Sequence, residues 1–314
     1  FGSSVASHCV GQGVVYFLDV SQHLLKLSIL AMDLFDLEQG LKSVATGGNV
    51  LNIQELTGIQ AGLTVLKAKE KYQTINLWGK IFGLSSDYYL AYGLKDSEFE
   101  FPAKTFYYAT EDFEFQALPA LTEEQADQII ELAIEKPFSG VGSSLIGPQA
   151  AEEEPPAEEG EEGAPSDAPP KLTEAHRLAQ AVQEIDFDTS VVPIGAHALN
   201  EAHVVVPSSD FKGLGSTEAT ALSKYAHFRP PSSIAALRAL ARTDAQFYSN
   251  FLDPLEGDLP KGCWSVRQDP SASLVTLRSM TWPGYIAYHT PGTTKFGGIY
   301  FGYAQKSKDL AFLL

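Results

Sequence analysis

Histidine is the side chain in this sequence best suited to acid–base or metal chemistry, because its pKa lies near neutral pH and its ring binds metals. The seven histidines stand at positions 8, 23, 176, 197, 203, 227 and 289. His197 and His203, with Glu201 between them, match neither a helical nor a zinc-ribbon spacing, and no third ligand is indicated. We therefore expect both to lie in solvated loops. His227 and His289 stand among aromatic residues, which favours packed or hydrogen-bonded core groups over general bases.

Cysteine and glycine motifs indicate no stronger chemistry. The sequence has only Cys9 and Cys263, too few and too far apart for a disulfide framework or a thiolate metal site, and this fits a reducing compartment. Cys263, beside Trp264, has no helix terminus or basic pair that would activate it. The stretches at 11–13 (GQG) and 257–263 (GDLPKGC) lack the glycine order of a phosphate-binding loop, and no G-x-S-x-G motif occurs.

The sequence therefore assigns no catalytic, cofactor-binding or metal-binding residue, and we expect a protein that is not an enzyme. The competing class is an enzyme or small-molecule-binding module that uses an unrecognised cleft between sheet and helices. A deep pocket in which two titratable groups with displaced pKa values converge would favour that class.

Composition predicts a folded protein that does not bind nucleic acid or anionic lipid. Of the 314 residues, 44% are hydrophobic and 19% charged, which is enough apolar material for a sizeable core. The net charge of -17 argues against nucleic acid and anionic lipid as partners, because phosphate binding needs a basic footprint. The apolar patch at 14–30 is interrupted by Asp19 and Lys26 and falls short of a membrane span. Residues 1–31 precede the first methionine, Met32, and we interpret them as an extension that an over-long gene model could produce.

A β-hairpin at residues 72–94 organises the first half of the chain. Two aromatic-rich runs, 74–82 and 88–94, flank the turn residues 85–87. Strict alternation puts Ile75, Leu77 and Ile81 on one face and Trp78 and Lys80 on the other. Because both faces carry large apolar groups, we expect a strand covered on both sides. The glycine at position 79 indicates a bulge or another backbone pressed close.

The remaining elements surround this hairpin. Helices are predicted from residue 32, from an N-cap at Asn52, from the capping box at Thr122, and from Thr173 to residue 186. Further helices are predicted from residue 216 or 217 up to the prolines at 230–231, and over 233–252. Strands are predicted at 104–110, 113–118, 190–194 and 202–206, and antiparallel strands at 264–268, 274–281, 284–290 and 299–303.

An acidic stretch divides the chain. Residues 148–170 contain seven glutamates and one aspartate, with no basic and no large apolar residue, which predicts a disordered insertion. The predicted fold is α+β, with antiparallel β-sheet meanders packed with helices and interrupted by this insertion. The predicted organisation is an extension at 1–31, an α+β half with the Trp78/Tyr88 hairpin at 32–147, the insertion at 148–170, and an α+β half with antiparallel strands at 171–314.

Five blocks of the sequence resemble the radial spoke head protein 9 family. They are NLWGKIFGLSSDYYLAYGL at 76–94, KYAHFRPP at 224–231, LEGDLPKGCWSVRQ at 255–268, LRSMTWPGYIAYHTP at 277–291 and the final KDLAFLL. The resemblance spans most of 32–314, whereas residues 1–31 have no counterpart and the insertion is longer than in animal relatives. The related radial spoke proteins 4 and 6 carry a similar hairpin, and the C-terminal blocks favour component 9.

The resemblance implies a non-enzymatic subunit of the radial spoke head in motile cilia and flagella. The implied partners are the other spoke-head subunits, such as radial spoke proteins 4 and 6, and, through the assembled head, the projections of the central pair. The implied location is the axoneme of the cilium or flagellum, a part of the cytoskeleton, after assembly in the cytoplasm. The implied role is to relay mechanical signals that regulate dynein-driven bending.

A scaffold subunit needs adhesive aromatic surface, and the C-terminal half offers one candidate set. Trp282, Tyr285 and Tyr288 are our interface candidates, because aromatic residues are enriched at the energetic centres of interfaces. Core packing is the alternative role for the same three residues.

Overall fold

The computed structural model describes residues 32–33, 37–48, 50–72, 74–95, 100–132, 136–146, 172–242, 251–271 and 273–313. The predicted extension at 1–31 and the predicted acidic insertion at 148–170 lie outside the described residues. The division of the chain into two halves around the insertion stays a prediction.

The described residues form both strands and helices. The strands are β1 Met32–Asp33, β2 Ile75–Ile81, β3 Tyr88–Lys95, β4 Ala103–Ala109, β5 Gln116–Ala117, β6 Val191–Pro193, β7 His197–Leu199, β8 Val205–Pro207, β9 Tyr225–His227, β10 Trp264–Gln268, β11 Val275–Ser279, β12 Tyr285–His289 and β13 Phe296–Gly302. The helices are α1 Leu37–Ala45, α2 Ile53–Glu70, α3 Glu123–Glu131, α4 Glu174–Thr189, α5 Ile234–Leu240 and α6 Leu310–Leu313. This content confirms the predicted α+β class.

One nine-stranded sheet contains strands from both sides of the acidic insertion. Its order is β10-β11-β12-β13-β2-β3-β4-β5, with β1 also paired to β2. Neighbouring strands within each side pair antiparallel, as predicted, whereas β13 and β2 pair parallel, with Tyr300 opposite Gly79. A Cβ atom on Gly79 would lie 2.1 Å from the Tyr300 carbonyl oxygen. Glycine is therefore required where the two sets of strands join, as the gap in the strand pattern indicated.

The hairpin of β2 and β3 is confirmed, but the predicted division of β2 between two faces is partly wrong. The register shifts between Leu77 and Gly79, which is a β-bulge. Ile75 and Leu77 belong to the core on one face of the sheet, whereas Ile81 belongs with Trp78 to the core on the other. The additional residue in the bulge reverses the alternation beyond it, so Ile81 faces opposite to the predicted side.

Helices cover both faces of the sheet. On one face Leu37 and Val44 of α1 and Ile59 and Leu63 of α2 are fully buried. On the other face lies α4, whose inward residues Leu178, Val182 and Ile185 are also fully buried. All seven residues of β2 are buried, which confirms the prediction of a strand covered on both sides. No helix in the described part of the chain has the length and apolarity that a bilayer crossing requires.

The predicted helix starts at Asn52 and Thr122 are confirmed, since each side chain forms a capping box with the residue three positions on. The helix predicted from residue 32 is wrong at its start, because Met32 and Asp33 form β1. The physical reason is that β13 pairs with β2 only at residues 79–81. The first part of the same edge of β2 is left free, and β1 pairs there with residues 76 and 77.

Two further helix predictions need correction. From residue 217 the chain forms two short 3-10 turns and then β9. Residues 225–227 pair with β6, so their backbone N–H and C=O groups form sheet hydrogen bonds and not helical ones. The helix capped by Ser233 is confirmed at its start but ends at Leu240, and residues 243–250 of the predicted span lie outside the described part.

Candidate interaction surface

The three aromatic residues predicted for an interface are buried within the chain. Trp282, Tyr285 and Tyr288 expose 3%, 7% and 8% of their surface. Trp282 and Tyr285 belong to the core beneath α4, and Tyr288 belongs to the core beneath α1 and α2. The structure therefore brings two of them together and places the third on the opposite face. Their role in an interface stays a prediction. Because they are buried, they would hold the overlying surface residues in place and would not contact the partner themselves.

Trp282 is attached to α4 through Asp188. Its Nε1–H donates a hydrogen bond of 2.9 Å to Asp188 Oδ2. Lys306 Nζ donates to Asp188 and to Glu184, each at 3.0 Å, and lies 5.3 Å from the centre of the Trp282 ring. Burial lowers the pKa of Lys306, but its hydrogen bonds to the two carboxylates outweigh burial and raise that pKa above its ordinary value.

The same helix holds the first set of strands through Asp186. Its carboxylate accepts hydrogen bonds from Trp78 Nε1 at 3.2 Å and from Lys104 Nζ at 2.6 Å. Trp78 lies on β2 and Lys104 on β4, and both side chains are largely buried beneath the helix. The carboxylates of α4 thus connect it to strands from both sides of the insertion.

Glu174 fixes the start of α4. The carboxylate is buried and accepts hydrogen bonds from the Tyr88 hydroxyl at 2.7 Å and from the backbone N–H groups of Ser139 and Gly140 at 3.0 Å. Burial, together with the hydrogen bond to Glu174, raises the pKa of Tyr88 far above its ordinary value. Tyr88 therefore stays protonated and donates to Glu174 at physiological pH.

His227 and His289 are hydrogen-bonded core groups, as predicted. His227 Nε2 lies 2.8 Å from Asp258 Oδ2, and the same oxygen accepts from Trp264 Nε1 at 2.7 Å. Burial raises the pKa of Asp258, but the hydrogen bonds from His227 and Trp264 outweigh it and hold the pKa below its usual range. His289 Nε2 accepts a hydrogen bond of 3.2 Å from the Leu214 N–H.

The solvated-loop prediction is wrong for His197. The ring is buried at 2% exposure, packs against Phe228 with ring centroids 4.4 Å apart, and has no hydrogen-bond partner at either nitrogen. Burial lowers its pKa to about 3. The physical reason is that the β7–β8 hairpin folds this position into a small core that also holds Phe228 and Phe296. His203 is half-buried, and no group of three metal-ligating side chains occurs among the described residues.

A small cleft lies beside Trp282, and its acidic lining residues already form hydrogen bonds within the chain. Its volume is about 200 Å³, below the roughly 300–1,000 Å³ of typical ligand pockets. Asp188 and Asp258 line it, and both carboxylates are already hydrogen-bonded within the chain. Burial raises the pKa of the Cys263 thiol, so this lining residue is protonated at neutral pH and is a poor nucleophile.

Five exposed large apolar residues lie at the end of the sheet that borders this cleft. They lie in the turns that connect or flank the strand ends there and in the short helix α6, and we call them the strand-end surface: Leu84, Leu259, Met280, Tyr303 and Phe312. Sequence reasoning missed these residues. Their only signal was large apolar side chains next to turn residues, and that signal does not reveal which of them the fold leaves exposed.

Comparison with known proteins defines the class of this chain. The model of the radial spokehead-like protein family matches residues 25–201, and the chain belongs to that family.

Three curated relatives specify this further. The chain is 33% identical over 283 residues to the radial spoke head protein 9 homolog of Danio rerio. It is 32% identical over 287 residues to each of the proteins of that name from Homo sapiens and Mus musculus. In each comparison the match covers 90% of this chain and all of the relative. The resemblance to the radial spoke head protein 9 family is therefore confirmed.

Proposed function

We propose that this chain is a non-enzymatic structural subunit of the radial spoke head in motile cilia and flagella. It helps to assemble the head, which contacts the central pair and relays mechanical signals that regulate dynein-driven motility. The observation that carries the proposal is the match over the full length of relatives named radial spoke head protein 9. Supporting it is a cleft of about 200 Å³ whose acidic residues are already hydrogen-bonded.

A mechanical relay needs a stiff body, and the described fold supports that requirement. The central sheet is covered on both faces, and α4 is attached by Asp186 to Trp78 and by Asp188 to Trp282. Buried, fully packed elements open rarely, because their opening free energy approaches that of global unfolding. A force applied at one edge of the sheet is therefore transmitted across it with little local deformation.

The partners in this proposal are the other spoke-head subunits, such as radial spoke proteins 4 and 6, and, through the assembled head, the central-pair projections. The location is the axoneme of the cilium or flagellum, after assembly in the cytoplasm. The net charge of -17 supports a role that involves neither nucleic acid nor a membrane surface.

A pull-down from isolated axonemes tests the proposal. The tagged chain should recover the other spoke-head subunits, as measured by mass spectrometry, from cells in which it replaces the untagged copy. Recovery of the chain without any spoke-head subunit would contradict the proposal. A metal or nucleotide that copurifies in stoichiometric amount would favour the competing class of enzyme or small-molecule binder.

A further inference from the structure

The strand-end surface is continuous because of the sheet topology. β2 and β13 run parallel, so both end at the same side of the sheet. Their antiparallel neighbours place the start of β3, the start of β12 and the end of β11 at that side as well, and β10 starts beside the end of β11. Adjacent strands lie about 4.8 Å apart, so these six strand ends form a row roughly 24 Å long.

Direct contacts connect the turns along this row. The Phe82 N–H donates to the Gly302 carbonyl at 3.0 Å, and the rings of Phe82 and Tyr303 lie 5.2 Å apart. Further along, the Ser307 N–H donates to Thr281 and the Met280 N–H donates to Cys263, each at 2.8 Å. The row is therefore one surface and not a set of separate loops.

The exposed side chains on this surface are large and apolar. Leu84, Leu259, Met280, Tyr303 and Phe312 expose 74%, 80%, 43%, 59% and 88% of their surface. Isolated exposed apolar residues are common, but a group of them along one row marks a contact surface. A row of about 24 Å matches the width of a standard interface, which buries roughly 800 Å² on each partner.

Two clusters of charged groups along the row are paired within the chain. Asp87 lies 2.7 Å from Lys80, and Lys306 lies 3.0 Å from both Glu184 and Asp188. The centre of a protein interface is depleted in free charge, because each unpaired ion must lose its water. The charges in these two clusters keep their partners when a second surface covers them, which lowers the cost of covering this part of the row.

We propose that the strand-end surface is the site at which this chain docks onto a different protein chain that presents an apolar patch with a basic rim. The net charge of -17 selects this occupant over a second copy, because two strongly acidic surfaces repel each other. A chain with this net charge also attracts a basic partner chain, whose basic residues can surround an apolar contact. This inference rests on the proposed function, in which the docked chain is another spoke-head subunit.

The test compares two sets of full-length variants. Leu84→Glu and Met280→Glu each place a charge on the strand-end surface. Ile53→Glu and Val65→Glu are matched controls on the exposed side of α2, where these side chains are 78% and 67% exposed. All four positions are exposed, so we expect each variant to keep the unfolding temperature of the unmodified chain.

Binding to purified radial spoke proteins 4 and 6 is then measured. We expect the strand-end variants to bind at least about tenfold more weakly, as for the loss of an interface anchor, and the controls to bind as the unmodified chain does. Equal binding by all variants would overturn this inference alone. Failure of the unmodified chain to bind either subunit would contradict the proposed function and the inference with it. Dimerisation of the unmodified chain that Leu84→Glu abolishes would assign the surface to a second copy and overturn the proposed occupant.

Discussion

Asp186 and Asp188 stand two positions apart on α4, and each accepts a hydrogen bond from a tryptophan on a different side of the acidic insertion. Trp78 of the hairpin donates to Asp186, and Trp282 of the β11–β12 turn donates to Asp188. One turn of one helix thus holds strands that are about 200 positions apart in the sequence. We infer that α4 stabilises the parallel contact of β2 and β13 on which the single sheet depends.

Removal of the Asp188 carboxylate should destabilise the chain. In Asp188→Ala the Trp282 Nε1–H and the Lys306 ammonium lose an acceptor, and we expect a loss of about 1–3 kcal/mol in the free energy of unfolding. Asp188→Asn keeps an acceptor for the indole and should lose less. Denaturant unfolding measures both values, and equal losses in the two variants would contradict the role of the Trp282 hydrogen bond.

Gly79→Ala should disrupt the join between β2 and β13. The added methyl group would lie 2.1 Å from the Tyr300 carbonyl oxygen, so the two backbones must separate. We expect a loss above about 3 kcal/mol, or failure to fold. Gly257→Ala is the matched control, because no atom lies within 4 Å of the added Cβ. The same unfolding experiment compares them, and an equal, small effect of both would contradict the structure at the join.

His197 should make the folded state sensitive to acid. Its pKa is about 3 when folded and rises to its ordinary value near 6.5 on unfolding. The unfolded state therefore binds more protons between these values, and stability from this group falls as the pH falls below 6.5, by up to about 1.4 kcal/mol per pH unit. His197→Phe should remove this part of the pH dependence.

His203→Asn is the control for that experiment, since it alters a half-buried histidine outside this small core and should leave the slope from His197 in place. Unfolding free energies measured between pH 7 and pH 5 provide the comparison. The assignment to His197 would be wrong if the slope of His197→Phe matched that of the unmodified chain.

Cys263→Ala should leave the biological activity intact. The thiol is buried and its pKa is raised, so we assign it a packing role beside the β11–β12 turn. Rescue of motility in cells that lack the chain is the measurement, with protein abundance as the control. Loss of rescue at normal abundance would favour chemistry in the cleft.

Local sequence signals predicted the parts of the fold that depend on local contacts. The capping residues Asn52 and Thr122 bond to groups three positions away, and the hairpin of β2 and β3 closes over a short turn. Where distant residues decide the structure, the sequence was insufficient. Residues 217–227 have a helical pattern, but pairing of β9 with β6 overrides it, and the approach of Tyr300 to Gly79 joins segments that no periodicity connects.

The candidate site shows the same limit. The aromatic character of Trp282 and Tyr285 was evident, but whether a ring is exposed depends on α4 above it. The strand-end residues are exposed because strands from both sides of the insertion end at one side of the sheet, which is a property of the topology and not of any local pattern.

Electron tomography of axonemes from cells that lack this chain tests whether it is a structural subunit of the spoke head. We predict incomplete spoke heads on intact doublets, impaired bending, and recovery of both when the full chain is restored. Complete spoke heads in the absence of the chain would contradict the claim that it is a structural subunit of the radial spoke head.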